Sequence, residues 1–157
     1  MKPNIGISEK NLKGVTALLT ETLATQMVLY TKLRKFHWNV YGESFMEYHL
    51  LFEEQYKQLE QAIDEVAERI NKLGQNAIGT LTEFVQLSAI KESPGKYPQS
   101  QEMVKELLAD HETAVRALRK AIDACEDEYK DKGTADFLTG LMQDHETMSW
   151  KLRRYFK

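Results

Sequence analysis

Two histidines lie close together in the stretch HWNVYGESFMEYH, which begins at His37 and ends at His49. Neutral imidazole is a common ligand of iron and zinc, and carboxylates complete many such sites. Glu53 follows His49 by four residues, and Asp64 and Glu68 follow further along the chain. These residue types predict a binding site for a divalent transition metal.

A di-iron site inside a four-helix bundle normally takes a Glu-x-x-His pair from each of two helices. Three positions before the chain's four histidines stand Arg34, Met46, Leu108 and Met142, and none of these is acidic. The sequence therefore predicts no metal site of this kind. His111 and His145 lie in matching DHE contexts without carboxylates on a shared buried side, so we expect them to be surface or interface histidines.

Helix geometry divides the candidate ligands into two groups. At about 100° per residue, His49, Glu53, Asp64 and Glu68 lie along one side of a helix, just beside its apolar stripe. His49 and Asp64 are fifteen residues apart, which corresponds to about 22 Å along a helix that rises about 1.5 Å per residue. One copy of the chain cannot bring both residues to a single ion.

Two copies of the chain can bring the two groups together. If the helix that carries them lies antiparallel to its mate across a twofold axis, His49 of one subunit meets Asp64 and Glu68 of the partner subunit. The turn at Gly42 returns His37 to the same place. The pattern therefore predicts two identical sites at a twofold interface.

Helical periodicity dominates the sequence and predicts four long helices. Their expected ranges are about Val15 to the turn at Gly42, Ser44 to Gly74, Ser100 to Gly133, and about Thr134 to the chain end. Ser44 with Glu47, and Thr80 with Glu83, have the spacing of capping boxes. The second of these boxes predicts a short helix within the long connection between the second and third long helices.

Two hairpins joined by a long connection are typical of an all-α, ferritin-like four-helix bundle with one crossover. No strand pattern or linker interrupts the 157 residues, so we expect a single domain over residues 1–157. No apolar run reaches the roughly 18 residues that span a membrane. A start without a secretion signal and a single cysteine, Cys125, predict a cytoplasmic protein. A net charge of −3 gives no general attraction to nucleic acid.

Two stretches carry a resemblance to a known family. They are HWNVYGESFMEYHLLFEEQY, followed by DEVAER, and DKGTADFLTGLMQDHETMSWKLR near the end. They resemble the Dps family of mini-ferritins (DNA-binding protein from starved cells), and the likeness covers almost the whole chain. The resemblance implies a ferroxidase: a homo-oligomeric shell of twelve subunits that oxidises Fe(II), preferentially with hydrogen peroxide, and stores ferric mineral. It also implies up to two irons per site, with zinc able to take their place.

The resemblance assigns roles position by position. One subunit would supply the histidine ligands His37 and His49. Its mate would supply the carboxylate ligands Asp64 and Glu68. Glu53 matches the position that supplies a further carboxylate for a second iron, although many members have Asp there. Trp38 matches a tryptophan beside the centre that intercepts one-electron oxidants. Anchoring of the turn between the helices is the alternative role for Trp38.

The resemblance also suggests a route for iron. Asp131 and Asp136 match positions that line an acidic threefold pore for Fe(II) entry, and Gly140 stands where a third acidic residue is often found. Acidic residues at these positions also suit the start of a helix, where the dipole favours negative charge. Glu54 and Glu60 are candidates for an acidic inner wall on which mineral forms.

A DNA-binding and DNA-protecting protein with secondary iron chemistry is the alternative function. Members that condense DNA use a mobile tail rich in lysine and arginine, which neutralises phosphates. Here the segment MKPNIGI holds one lysine, and the C-terminal cations Lys151, Arg153, Arg154 and Lys157 have no extension beyond them. We therefore expect no strong DNA binding. A bundle that assembles for structural reasons alone is a third reading, against which the complete ligand set argues.

Overall fold

The computed structural model describes residues 3–156. Within them are five α-helices, α1 (Glu9–Asn39), α2 (Phe45–Lys72), α3 (Leu81–Leu87), α4 (Ser100–Asp123) and α5 (Lys132–Arg153), and a π-helical turn, Ala124–Glu128. This part of the chain contains no β-strand. None of its helices is both long and apolar enough to cross a membrane. The prediction of an all-α bundle with four long helices and one short helix is confirmed.

Two helical hairpins build the bundle. α1 packs along α2, α4 packs along α5, and α3 lies against α1. A long crossover that contains α3 joins the two hairpins, as a bundle with a single crossover requires. α3 begins with the predicted capping box, in which Thr80 and Glu83 satisfy each other's backbone N–H groups.

The core consists of two apolar clusters that occupy different halves of the long helices. One cluster includes Leu19 and Ile70, and the other includes Leu33 and Phe52; all four side chains are fully buried. Burying a large apolar side chain contributes about 1.5–3 kcal/mol. Four buried polar side chains, one from each long helix, lie where the clusters meet; they are Gln26, Gln55, His111 and His145. Such a layer is stable only if its polar groups find hydrogen-bond partners.

The turn between α1 and α2 lacks the predicted capping box. Ser44 precedes α2, but its φ is 59° and its side chain makes no capping hydrogen bond. Glu47 instead accepts a hydrogen bond from the Tyr155 hydroxyl at 2.6 Å. The prediction is wrong because the tight turn that starts at Gly42 holds Ser44 in a left-handed conformation, whereas a capping residue is normally extended.

The end of α4 lies earlier than the predicted stop at Gly133. The α-helix ends at Asp123 and widens into the π-helical turn, after which Lys130 takes a left-handed φ of 57°. Gly133 lies in the first turn of α5. The prediction of Gly133 as the helix stop is wrong because Lys130, rather than a glycine, takes the left-handed conformation after the helix. Cys125 in the π-helical turn is buried, and burial raises the pKa of its thiol to about 11, so the thiol is unreactive.

Asp131 is the N-cap of α5 and is only 3% exposed. Its Oδ1 accepts a hydrogen bond from the Thr134 backbone N–H at 3.0 Å, and its Oδ2 accepts one from the Thr134 hydroxyl at 2.5 Å. Arg69 of α2 donates to the same hydroxyl oxygen at 3.0 Å and lies 3.4 Å from the Asp131 carboxylate. These contacts tie α2 to the start of α5.

Replacing Asp131 by alanine is expected to lower the free energy of unfolding by at least about 1–2 kcal/mol, because the cap is lost and Arg69 loses its charged partner. Asp136→Ala is the matched control, since Asp136 is an exposed aspartate of α5 that lies beyond its first turn. Its effect should stay within about 0.5 kcal/mol. Urea denaturation at fixed protein concentration measures both, and equal effects would contradict the capping role.

Candidate metal centre

His37 and His49 face each other across the turn between α1 and α2. Their rings stack with centroids 3.7 Å apart and planes inclined by 21°. His37 lies in the last turn of α1 and is 9% exposed, and His49 lies near the start of α2. The structure thus brings together the two histidines that the sequence singled out.

Reciprocal hydrogen bonds fix both rings. Nδ1 of His37 lies 2.9 Å from the backbone oxygen of His49, and Nδ1 of His49 lies 2.9 Å from the backbone oxygen of His37. A carbonyl oxygen only accepts, so each Nδ1 carries the proton and each Nε2 keeps its lone pair. A hydrogen bond from the outer nitrogen to a carbonyl is the usual way in which metal-binding histidines are oriented. Both rings therefore hold a free Nε2 that can bind a metal ion.

Glu53 adds a negative charge one helical turn after His49. Its side chain is 28% exposed and forms a salt bridge with Lys57, a further turn along α2. The hydrogen bond from Lys57 holds the pKa of the Glu53 carboxyl below its usual value, and the positive charge of Lys57 acts in the same direction. Glu53 is therefore a carboxylate at neutral pH and is suited to bind a cation beside the two imidazoles.

Asp64 and Glu68 lie further along α2, where both are exposed. Glu68 forms a surface ion pair with Lys72 at 3.1 Å, and Asp64 borders an open depression of about 540 Å³. Among residues 3–156, no group of three or more His, Cys, Asp or Glu side chains is placed to hold a metal ion. One copy of the chain does not assemble the predicted ligand set. Its completion by a second copy stays a prediction.

Two aromatic side chains, Trp38 and Tyr56, lie near the two histidines and share a contact with Arg34. Trp38 is 65% exposed, and the Arg34 guanidinium lies 5.3 Å from the centroid of its ring. The same guanidinium lies 4.6 Å from the Tyr56 centroid, and the Tyr56 ring meets His37 edge-on at 5.2 Å. The exposure of Trp38 argues against its alternative role as an anchor of the turn, because an anchoring side chain would be buried in the single chain.

The residues predicted for iron entry and mineral growth are spread over the surface. Asp136 is exposed on α5 just after its first turn, whereas Asp131 is buried as the helix cap. Glu54 forms an ion pair with Lys151 at 2.5 Å, and Glu60 is exposed on α2. A pore and an inner wall need neighbouring subunits, so these roles stay predictions.

His111 and His145 are fully buried, so the prediction of surface or interface histidines is wrong. Their Nδ1 atoms lie 2.8 Å apart. Nε2 of His111 lies 3.3 Å from Oε1 of Gln55, and Nε2 of His145 lies 3.0 Å from Oε1 of Gln26. The signal for burial was present in the sequence, since both histidines fall on the three- and four-residue steps of the apolar stripes of α4 and α5. The charged residues beside each histidine in the DHE motifs led to the opposite prediction.

The buried pair is neutral at physiological pH. Burial lowers the pKa of His111 well below its ordinary value, and the neighbouring His145 lowers it further. Burial also lowers the pKa of His145 to about 4. Charging either ring would place an uncompensated cation in the centre of the bundle, which is costly.

Comparison with known proteins first identifies the fold class of the chain. A family model described as a ferritin-like domain matches residues 16–157. The crystal structure of a Dps protein from Vibrio cholerae O1, described as a member of a broad superfamily of ferritin-like diiron-carboxylate proteins, is similar with a TM-score of 0.92 and 26% identity. The similarity covers 99% of this chain and 97% of that one. The chain therefore has the ferritin-like fold.

Its relatives then define the family. An uncharacterized low temperature-induced protein of Nostoc sp. is 44% identical, over 98% of this chain and 86% of its own length. DNA protection during starvation protein 2 of Bacillus anthracis is 35% identical, over 91% of this chain and 97% of its own length. This chain belongs to the Dps family of mini-ferritins.

Proposed function

We propose that this chain is the subunit of an iron-storage and detoxification shell that oxidises Fe(II), preferentially with hydrogen peroxide, at centres shared between twofold-related copies. The reciprocal hydrogen bonds of His37 and His49 carry this proposal. They hold two free Nε2 atoms side by side, and Glu53 adds a carboxylate at the same end of α2. Two imidazoles and a carboxylate are suited to iron, but they leave the centre short of ligands.

A second copy of the chain is the proposed source of the missing ligands. Asp64 and Glu68 are exposed, and they lie too far along α2 to reach the histidines of their own chain. Large apolar side chains are exposed around the α1–α2 turn and on α3; they are Trp38, Tyr41, Phe45, Met46, Leu50, Leu81, Val85 and Leu87. Exposed apolar surface of this extent marks an interaction site. A homo-oligomer, which we propose to be a dodecamer, would bury it.

The chemistry follows from the ligand types. Two Fe(II) ions at one centre each give one electron to a single hydrogen peroxide, the O–O bond breaks, and two protons complete two water molecules. Because both electrons arrive together, no hydroxyl radical is released. Neutral imidazole binds Fe(II) without holding it too tightly for transfer, and the carboxylates of Glu53, Asp64 and Glu68 stabilise the Fe(III) product.

Storage requires that the product leaves the centre for an inner wall. Fe(III) hydrolyses to a ferric oxyhydroxide, and exposed carboxylates such as Glu60 are the proposed places where mineral starts. Asp136 is the proposed pore residue, since it is exposed at the start of α5. We place this activity in the cytoplasm, because the single cysteine is a buried, unreactive thiol that needs no oxidising compartment.

DNA binding is the alternative function, and most of the described cations at the C-terminal end are already paired. Lys151 is paired with Glu54, and Arg153 is paired with Glu112 at 2.9 Å. Among the described C-terminal residues, Arg154 is the one cation without an ion pair. Phosphate binding draws on unpaired lysine and arginine side chains. We therefore keep iron oxidation as the main activity.

Anaerobic Fe(II) loading followed by hydrogen peroxide tests the proposal. Native mass spectrometry is expected to show an assembly of about twelve subunits whose mass increases as ferric mineral accumulates. The control is the same assembly loaded with Fe(II) and kept without oxidant, which should retain only the ions bound at its centres. A monomer or dimer, or a shell that gains no iron, would overturn the proposed function.

A further inference from the structure

Two tyrosines connect the metal centre to a carboxylate on α2. The Tyr56 ring meets the His37 ring edge-on with centroids 5.2 Å apart, and the Tyr30 ring meets the Tyr56 ring edge-on at 6.1 Å. Both separations are those of aromatic rings in contact. The Tyr30 hydroxyl donates a hydrogen bond to Oε1 of Glu60 at 3.4 Å. These four side chains therefore form a continuous series, in which each member contacts the next.

One guanidinium lies over both tyrosine rings. The Arg34 guanidinium carbon is 4.6 Å from the Tyr56 centroid and 5.6 Å from the Tyr30 centroid, and Nη1 of Arg34 donates to the Tyr30 hydroxyl oxygen at 2.9 Å. A cation over an aromatic ring is attracted by the electrons of the ring, so it opposes a positive charge there. Either tyrosine can therefore lose an electron readily only if its phenolic proton leaves as well.

The two tyrosines differ in whether that proton has an acceptor. The Tyr30 hydroxyl already donates to the Glu60 carboxylate, and a carboxylate within hydrogen-bond reach can take the proton. Within the described residues of one chain, the Tyr56 hydroxyl has no hydrogen-bond partner. Tyr56 is thus suited to pass an electron onward, whereas Tyr30 is the ring that can hold a neutral radical.

We propose that Tyr30, acting through Tyr56, donates the second electron to hydrogen peroxide when the centre holds a single Fe(II). This inference rests on the proposed ferroxidase function. Glu53, the candidate ligand of a second iron, is held by Lys57 in the structure, so a centre with one iron meets the peroxide. Peroxide that receives only one electron splits into hydroxide and a hydroxyl radical. A second electron from Tyr30 prevents that release.

The step balances in electrons and protons. The peroxide takes two electrons and two solvent protons, its O–O bond breaks, and two water molecules leave. Fe(II) gives one electron and becomes Fe(III). Tyr30 gives the other electron and passes its phenolic proton to Glu60, which leaves a neutral phenoxyl radical. A later Fe(II) at the centre returns the electron to Tyr30, and Glu60 returns the proton.

Freeze-quenched electron paramagnetic resonance tests the donor. The assembled protein is loaded anaerobically with one Fe(II) per chain, mixed with hydrogen peroxide and frozen within the first turnover. We expect a radical signal that narrows in protein made with ring-deuterated tyrosine, which assigns the radical to tyrosine rather than to Trp38. Tyr30→Phe should remove the signal and increase the hydroxyl radical caught by a spin trap, because phenylalanine has no phenolic proton to release. Tyr56→Phe should weaken the signal, because a phenylalanine ring is too hard to oxidise to pass the electron.

Matched variants locate the proton acceptor and the radical. Glu60→Gln should lower the radical yield by at least about 10-fold, because an amide does not take the proton. Glu65→Gln is its control, since Glu65 is an exposed carboxylate further along α2 that accepts a hydrogen bond from Gln61. Tyr129→Phe is the control for the tyrosines, since the Tyr129 ring packs beside Gly14 near the opposite end of α1. Both controls should keep the full signal.

Fe(III) is followed by absorbance in the same samples, which separates this inference from the proposed function. Fe(III) formation without a tyrosine radical, or a full signal in the assembled Tyr30→Phe protein, would overturn the donor role and leave the proposed function standing. If no Fe(III) forms, both are overturned. Native mass spectrometry shows whether each variant assembles. If the Tyr30→Phe chain does not assemble, Glu60→Gln decides, and an undiminished signal in that variant removes the proposal.

Discussion

Replacing both His37 and His49 by alanine is expected to slow peroxide-driven Fe(II) oxidation by about 100-fold or more while the assembly stays intact. The physical reason is that both free Nε2 atoms are lost at once. Even the loss of a group that only orients a metal ligand costs about 10- to 100-fold, and here the ligands themselves are removed. Stopped-flow absorbance of Fe(III), corrected for the reaction without protein, measures the rate.

The α1–α2 turn offers two matched controls for this experiment. Asn39 and Ser44 are exposed residues close to the histidines in the sequence; the Asn39 amide donates to the Lys35 backbone oxygen, and the Ser44 side chain makes no capping hydrogen bond. Asn39→Ala and Ser44→Ala should therefore oxidise Fe(II) at the rate of the unaltered protein. An intact assembly of the double histidine variant that also keeps the full rate would show that the centre lies elsewhere.

Acid is expected to unfold the bundle through the buried pair of His111 and His145. Both pKa values are lowered in the folded state, His145 to about 4 and His111 well below its ordinary value, whereas an unfolded histidine titrates near 6.5. The unfolded chain therefore binds more protons than the folded one below about pH 6.5. The pair's contribution is fully present above that pH and is lost as the pH falls toward 4. The loss approaches about 2.7 kcal/mol per pH unit for two histidines.

Urea denaturation between pH 7 and pH 4.5, at one protein concentration, measures this loss. His145→Gln should reduce the pH dependence by about half, since one of the two titrating groups is gone. The His37→Ala/His49→Ala variant is the control and should keep the full dependence, because its core pair is unchanged. A stability curve that is flat between pH 6.5 and 5, or identical in the His145→Gln variant, would contradict the buried neutral pair.

The sequence was sufficient for the long helices and for the paired histidines of the centre. A period of 3.6 residues needs only the order of apolar residues, so α1, α2, α4 and α5 followed from it directly. His37 and His49 are joined by a short turn, and their proximity follows from the chain between them. The reciprocal hydrogen bonds of these two rings did not follow, because they depend on the angle at which α1 and α2 meet.

The burial of the two core histidines and the left-handed conformations of two residues could not be predicted from the sequence. His111 and His145 stand among charged neighbours in the sequence, yet the packing of four helices decides that both point into the core. Ser44 and Lys130 take left-handed conformations that their residue types do not favour, and the surrounding turns impose them. A sequence motif records local preference, whereas these features arise from contacts between distant parts of the chain.

The central claim is that each iron centre is shared by two subunits, and mixed assemblies test it most directly. One variant lacks the histidines (His37→Ala/His49→Ala), and the other lacks the carboxylates (Asp64→Asn/Glu68→Gln). Each assembly alone should be inactive. When the two chains are dissociated together and reassembled in equal amounts, half of the twofold pairs contain one chain of each kind. Each mixed pair has one complete centre and one that lacks both histidines and the carboxylates of positions 64 and 68, so about a quarter of the centres should be restored.

Stopped-flow oxidation of Fe(II) by hydrogen peroxide is the readout. Shared centres predict that the mixed assemblies regain about a quarter of the rate of the unaltered protein, provided that native mass spectrometry shows both chains in one shell. Centres built within single subunits would leave every copy defective, and mixing would restore no activity. Mixed shells that remain as inactive as their parents would contradict the account.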